Sequence, residues 1–95
     1  MKIKYTSHLL FRLKIRNIPE DLPKEIFQQA RERYYDCFTK HYIAICRFDY
    51  KGKIRDMAVT YDLKKDEVEL ITVHPIKPYQ KHRRVSSGRW RKYGK

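Results

Sequence analysis

Four histidines, many arginines and lysines and a set of aromatic residues occur in this chain in an order suited to phosphate chemistry. His8, Arg12 and Arg16 recur at intervals of four, which on a helix aligns them along one edge. Residues 76 to 95 hold eight lysines or arginines together with Tyr79, His82, Trp90 and Tyr93, and no acidic residue; His74 stands just upstream. Cleaving RNA without a metal requires a base for the 2′-hydroxyl, positive charge on the phosphate and a proton donor for the leaving oxygen. His74, His82 and His8 are the candidate acids and bases, with Arg84 the candidate catalytic guanidinium. Arg12, Arg16, Lys77, Lys81, Arg83 and Arg89 are candidates for gripping the nucleic-acid backbone, and Tyr79 and Trp90 for stacking on a base. Two plainer readings stand beside these. The row on the first helix is also what a solvated edge looks like, and Trp90, the sole tryptophan, serves equally well to anchor the tail.

The net charge of +12 is unevenly distributed. Residues 1 to 16 carry five basic groups and no acid, residues 17 to 75 carry ten against eleven acids, and the remainder is purely basic. A fold that brings the two ends together makes one concentrated positive patch, the footprint of a protein that meets nucleic acid or an anionic surface; the plainer reading is basic ends that confer solubility. Membrane-surface binding is disfavoured because Pro75, Pro78 and Gly88 oppose a continuous amphipathic helix in the tail. No apolar run has the length of a signal peptide or a membrane span, and the placement expected is cytoplasmic. Cys37 and Cys46 form no CxxC pair and read as reduced, small packing residues. Cys37 and His41 lack the second ligand pair of a zinc site, and Asp62, Asp66, Glu67 and Glu69 surround a polar turn, so no metal or cofactor is expected.

These groups must be carried by a small scaffold, since 95 residues make one domain, residues 1–95, with a basic C-terminal segment 76–95. Met1 to Tyr5 alternates like a short strand, and Thr6 or Ser7 can cap a helix that runs through about Arg16. Asn17 to Pro23 breaks that helix and starts another, expected from Leu22 to Phe38 because Ile26, Phe27, Ala30, Tyr34, Cys37 and Phe38 recur at helical spacing. Residues 40–50, 53–61 and 67–74 alternate as strands, with Lys51-Gly52 as the tight turn between the first two; Pro75 is expected to end the sheet and release the tail. The fold class expected is α+β, with two N-terminal helices packed on an antiparallel sheet of three or four strands.

Three separated stretches carry a family resemblance. Tyr5-Thr6-Ser7-His8 with Arg12, Arg16 and Ile18, then Leu70-Ile71-Thr72-Val73-His74-Pro75, then Arg84-Val85-Ser86-Ser87-Gly88-Arg89-Trp90 resemble, in this order, a small bacterial domain family related to the RelE/ParE toxins. The resemblance implies a toxin-like member of a toxin-antitoxin system with a RelE-like fold. RelE-like members are metal-independent endoribonucleases acting on messenger RNA, often on the ribosome, and ParE-like members poison DNA gyrase. An acidic antitoxin is the partner implied, and a noncatalytic RNA- or ribosome-binding module is the alternative.

Overall fold

The computed structural model describes residues 2–93. Met1, at the head of the expected first strand, and Gly94 and Lys95, at the tip of the basic tail, lie outside the described residues. The chain forms β1 (Lys2–Tyr5), α1 (Ser7–Ile15), α2 (Leu22–Gln29), β2 (Glu32–Asp36), β3 (His41–Tyr50), β4 (Lys53–Lys64), β5 (Glu67–Ile76), α3 (Pro78–Ser86) and β6 (Trp90–Lys92). The strands make one sheet in the order β1-β5-β4-β3-β2-β6. β1 runs parallel to β5 and the other neighbours are antiparallel. Three helices on a six-stranded mixed sheet replace the expected two helices on three or four antiparallel strands.

Local chemistry explains the elements that were anticipated. Thr6 has an extended backbone, and its Oγ1 accepts the Leu9 N–H at 3.1 Å, which caps α1. Asn17 ends that turn at φ 53°, in the left-handed region where asparagine is tolerated, and Pro23 occupies the first turn of α2. Lys51 and Gly52 both have positive φ, 53° and 80°, so the turn matches the twist of the β3–β4 hairpin.

Three expectations are corrected. The helix predicted over Leu22–Phe38 stops at Gln29, because Ala30 is extended and Glu32–Asp36 pairs antiparallel with β3. Its tyrosines satisfy a period of two as readily as a helical one, and pairing with the long β3 decides between them. The tail is not an irregular extension: Pro78 opens α3, the Lys77 N–H is accepted by Gln80 Oε1 at 2.9 Å, and Gly88 at φ 83° turns the chain into β6. Pro75 lies inside β5, opposite Met57, instead of ending the sheet. A strand with a free edge tolerates a residue that has no N–H to give.

The two faces of the sheet have separate cores. α1 and α2 cover one face, where Leu9, Leu13, Ile18, Leu22 and Ile26 pack on Met57, Val59, Tyr61, Val68, Leu70 and Val73. Tyr34, Ile43, Ile45, Ala58, Ile76 and Trp90 form the core of the other, which α3 crosses. α3 has no buried residue and docks through long basic side chains. Lys81 Nζ bonds Glu32 at 2.9 and 3.1 Å, and the Arg84 guanidinium lies 5.3 Å from the centre of the Trp90 ring.

Asp36, only 2% exposed, fastens the end of this arrangement. Its carboxylate accepts three bonds from Arg89 at 3.0 to 3.2 Å and one from Trp90 Nε1 at 3.2 Å. The N–H groups of Phe38 and Thr39 add bonds of 2.9 and 3.3 Å. Burial alone would raise the acid's pKa, but the Arg89, Phe38, Thr39 and Trp90 donors together hold it well below the usual carboxylate range. A depressed acid stabilises the fold above its unfolded pKa and gives that up as pH falls toward the folded value. Asp36→Ala leaves the Trp90 N–H and two backbone N–H groups without an acceptor and is expected to destabilise the protein by about 3 kcal/mol. Urea unfolding followed by Trp90 fluorescence checks this, with a red-shifted native emission reporting release of β6.

Candidate functional site

The site begins where β1 ends. β1 pairs with β5 only as far as Tyr5 opposite Leu70, and the Thr6 N–H makes a last bond to the Leu70 carbonyl at 3.1 Å before α1 turns away. Residues 71 to 76 of β5 therefore have β4 on one side and, among the described residues, no strand on the other. Register skips Ile71, which bulges, and Pro75, in regular register opposite Met57, has no N–H to offer a partner. α1 stands along this edge. The result is an open groove of about 310 Å³ lined by His8, Leu9, Arg12, Arg16, Ile18 and the segment Ile71 to His74. It is large enough for a ribose-phosphate unit.

The row at spacing four thus faces the strand edge, with exposed His8, Arg12 and Arg16 forming one wall. His74 closes one end. It pairs with Ala58 and shares that residue's face, toward α3. Burial pushes its pKa down, and the guanidinium groups of Arg84 and Arg16 push it further the same way. All three effects favour the uncharged imidazole, and the two arginines come from opposite ends of the chain. Arg84 is held in place by the Trp90 ring, which Tyr34 stacks at 5.4 Å and Asp36 bonds.

His8, Arg12, Arg16 and His74 thus line one groove, and Arg84 reaches it only through its charge on His74. The other candidates do not join them. Trp90 is 3% exposed and anchors β6, Arg89 is committed to Asp36, and Lys81 to Glu32. Tyr79, His82 and Arg83 project from the exposed side of α3, and Lys77 lines a separate cleft with Arg47, Lys53 and Arg55. That second basic cleft was not anticipated; the alternation of basic residues through Arg47, Lys53 and Arg55 across the hairpin was its only sequence signal. Glu32 and Tyr34 were missed as supports. Lys81 and Tyr34 bonds outweigh burial and lower the Glu32 pKa, while burial and Glu32 push Tyr34 up to about 12.

Cys37 and Cys46 are free and half-buried, and burial raises the Cys46 pKa, which disfavours its thiolate. Among the described residues no three His, Cys, Asp or Glu side chains gather as metal ligands, and no helix is long and apolar enough to cross a membrane.

His74 has a testable signature. Its folded pKa lies below the ordinary 6.5, so the unfolded chain takes up a proton more readily than the folded one. The stability it supports is present above that ordinary value and is lost as pH falls through it toward the folded pKa. Urea midpoints of wild type and His74→Gln between about pH 8 and about pH 5 should diverge on the acid side, the wild type falling more steeply. Arg84→Met should flatten the wild-type slope by removing a like charge.

No protein-family model, no curated protein and no solved structure matches the chain.

Proposed function

We propose that the protein binds RNA along the α1–β5 groove and cleaves it without a metal, as a toxin-type endoribonuclease of messenger RNA in the cytoplasm. The observation that carries this reading is the α1–β5 groove that His8, Arg12, Arg16 and His74 line together, with burial and the charges of Arg84 and Arg16 holding the His74 pKa down. Neutral His74 takes the proton of the 2′-hydroxyl, and the 2′-oxygen attacks the adjoining phosphorus. Arg16 and Arg84 offer paired N–H donors to the non-bridging oxygens as their charge grows. His8 gives a proton to the departing 5′-oxygen. The products are a 2′,3′-cyclic phosphate and a 5′-hydroxyl, with no water consumed in this step. The relation to RelE/ParE toxins rests on the sequence motifs alone; in that setting an acidic antitoxin is the partner whose charge complements this groove, and the ribosome the place where messenger RNA is met.

A noncatalytic RNA- or ribosome-binding module is the second reading. It is favoured by basic groups that continue well beyond the groove, at the Arg47, Lys53, Arg55 and Lys77 cleft and on the outer side of α3. Such a spread suits grip on an extended polyanion.

Product formation separates the two. Wild type incubated with a long messenger RNA in EDTA, free and on ribosomes, should leave cyclic phosphate ends. His74→Gln and His8→Ala should each slow cleavage by roughly 10² to 10⁴. Arg12→Ala should instead weaken affinity and reduce the log-log salt slope by roughly 0.7 to 0.9 for one phosphate contact. Tight, salt-sensitive binding without cleaved ends on either substrate would establish the binding module.

A further inference from the structure

A second surface lies at the opposite edge of the sheet. Tyr35 on β2 and Tyr42 on β3 are cross-strand partners with ring centres 5.1 Å apart, and Tyr93 packs on Tyr42 at 4.7 Å. Tyr93 follows β6 and is tied down by its N–H, which the Arg33 carbonyl accepts at 2.8 Å. Inward, Tyr42 stacks on Tyr61 at 5.6 Å, and Tyr61 meets Phe27 edge-on at 4.8 Å. The rings thus run from a fully buried Tyr61 to a Tyr93 that is 39% exposed. α2 packs over β3, β4 and β5 and reaches β2 at Arg33, whose guanidinium donates to the Phe27 carbonyl. Tyr35 and Tyr42 are half-buried and Tyr93 is exposed, so this end of the row of rings reaches solvent.

The charges around these rings have one sign. Arg91 is opposite Tyr35 in register, on the same face and exposed. Arg33 stands two residues from Tyr35, also on that face. The acids of β2, Glu32 and Asp36, point to the other face and are taken by Lys81 and Arg89. Pure core-forming tyrosines would be covered, and a solvated surface would carry mixed charge. Rigid rings with a guanidinium beside them and, among the described residues, no side-chain carboxylate on their face suit the flat face of an unpaired nucleobase whose phosphate lies next to it.

The geometry points to Tyr35, Tyr42, Tyr93 and Arg91 as a base-stacking platform for single-stranded RNA, separate from the groove beside His74. This inference rests on the reading of the protein as RNA-binding, and it adds that the RNA engaged there is unpaired, since duplex bases keep their faces stacked on one another.

Three fluorescein-labelled probes test it by anisotropy with the full chain: a single-stranded RNA of about 12 nucleotides, within the footprint of such sites, an abasic strand of the same length and an RNA hairpin duplex. Tyr93→Ala and Tyr35→Ala should each weaken binding of the single strand on the order of tenfold while leaving the abasic and duplex probes unchanged. Tyr93→Trp should retain the single-strand affinity. Equal losses on all three probes, or no loss on the single strand, overturn the platform. Thermal melts accompany each variant, and Tyr93→Ala, at an exposed position after the last strand, decides the matter if Tyr35→Ala does not fold. Arg12→Ala keeps the two readings apart, because it should weaken all three probes. If it weakens none while Tyr93→Ala acts on the single strand alone, the groove fails and the platform stands.

Discussion

One buried carboxylate fastens the last strand of this molecule to the rest of the sheet. Asp36 draws Arg89 and Trp90 from more than fifty residues away and binds the turn that follows it, so the last strand is defined by side-chain bonding more than by its own three residues. Such an acid is stable as an anion only because donors surround it, and removal of one donor leaves the rest of the charge buried. From Asp36 the order passes outward through Trp90 to Arg84, and from Arg84 to His74. The acid touches no candidate catalytic group. It determines where one of them stands.

This arrangement turns part of the basic tail, whose side chains the sequence offers for gripping nucleic acid, into structural support. Its three most conspicuous groups, Lys81, Arg89 and Trp90, are spent on Glu32, Asp36 and Tyr34. A charged helix with no buried residue can lie on a sheet if its alkyl stems cover apolar surface and its heads find acids. α3 does both, which leaves Tyr79, His82 and Arg83 to face solvent.

The sequence was informative where structure is local. The hairpin of β3 and β4 follows from alternation and the Lys51-Gly52 turn, α1 follows from Thr6, and the row of His8, Arg12 and Arg16 follows from helical spacing. It misled at residues 32–36, where two adjacent tyrosines fit either period and a distant strand made the choice. The parallel pairing of β1 with β5 and the three-residue β6 carry almost no local signal. The convergence at His74 depends on both, so the members of the site were legible and their meeting was not. The same open edge also needs protection against other strands. The bulge at Ile71, the missing donor at Pro75 and the positive wall of Arg12 and Arg16 all discourage pairing with a second copy.

Trp90 has a consequence for the order in which the protein becomes competent. Synthesis proceeds from the N-terminus, so α1, β1 and β5, with the groove and His74, are complete before Trp90 has been added. The seat of the Arg84 guanidinium on that ring, and the ring's own bond to Asp36, can therefore form only after every residue that lines the groove has been made.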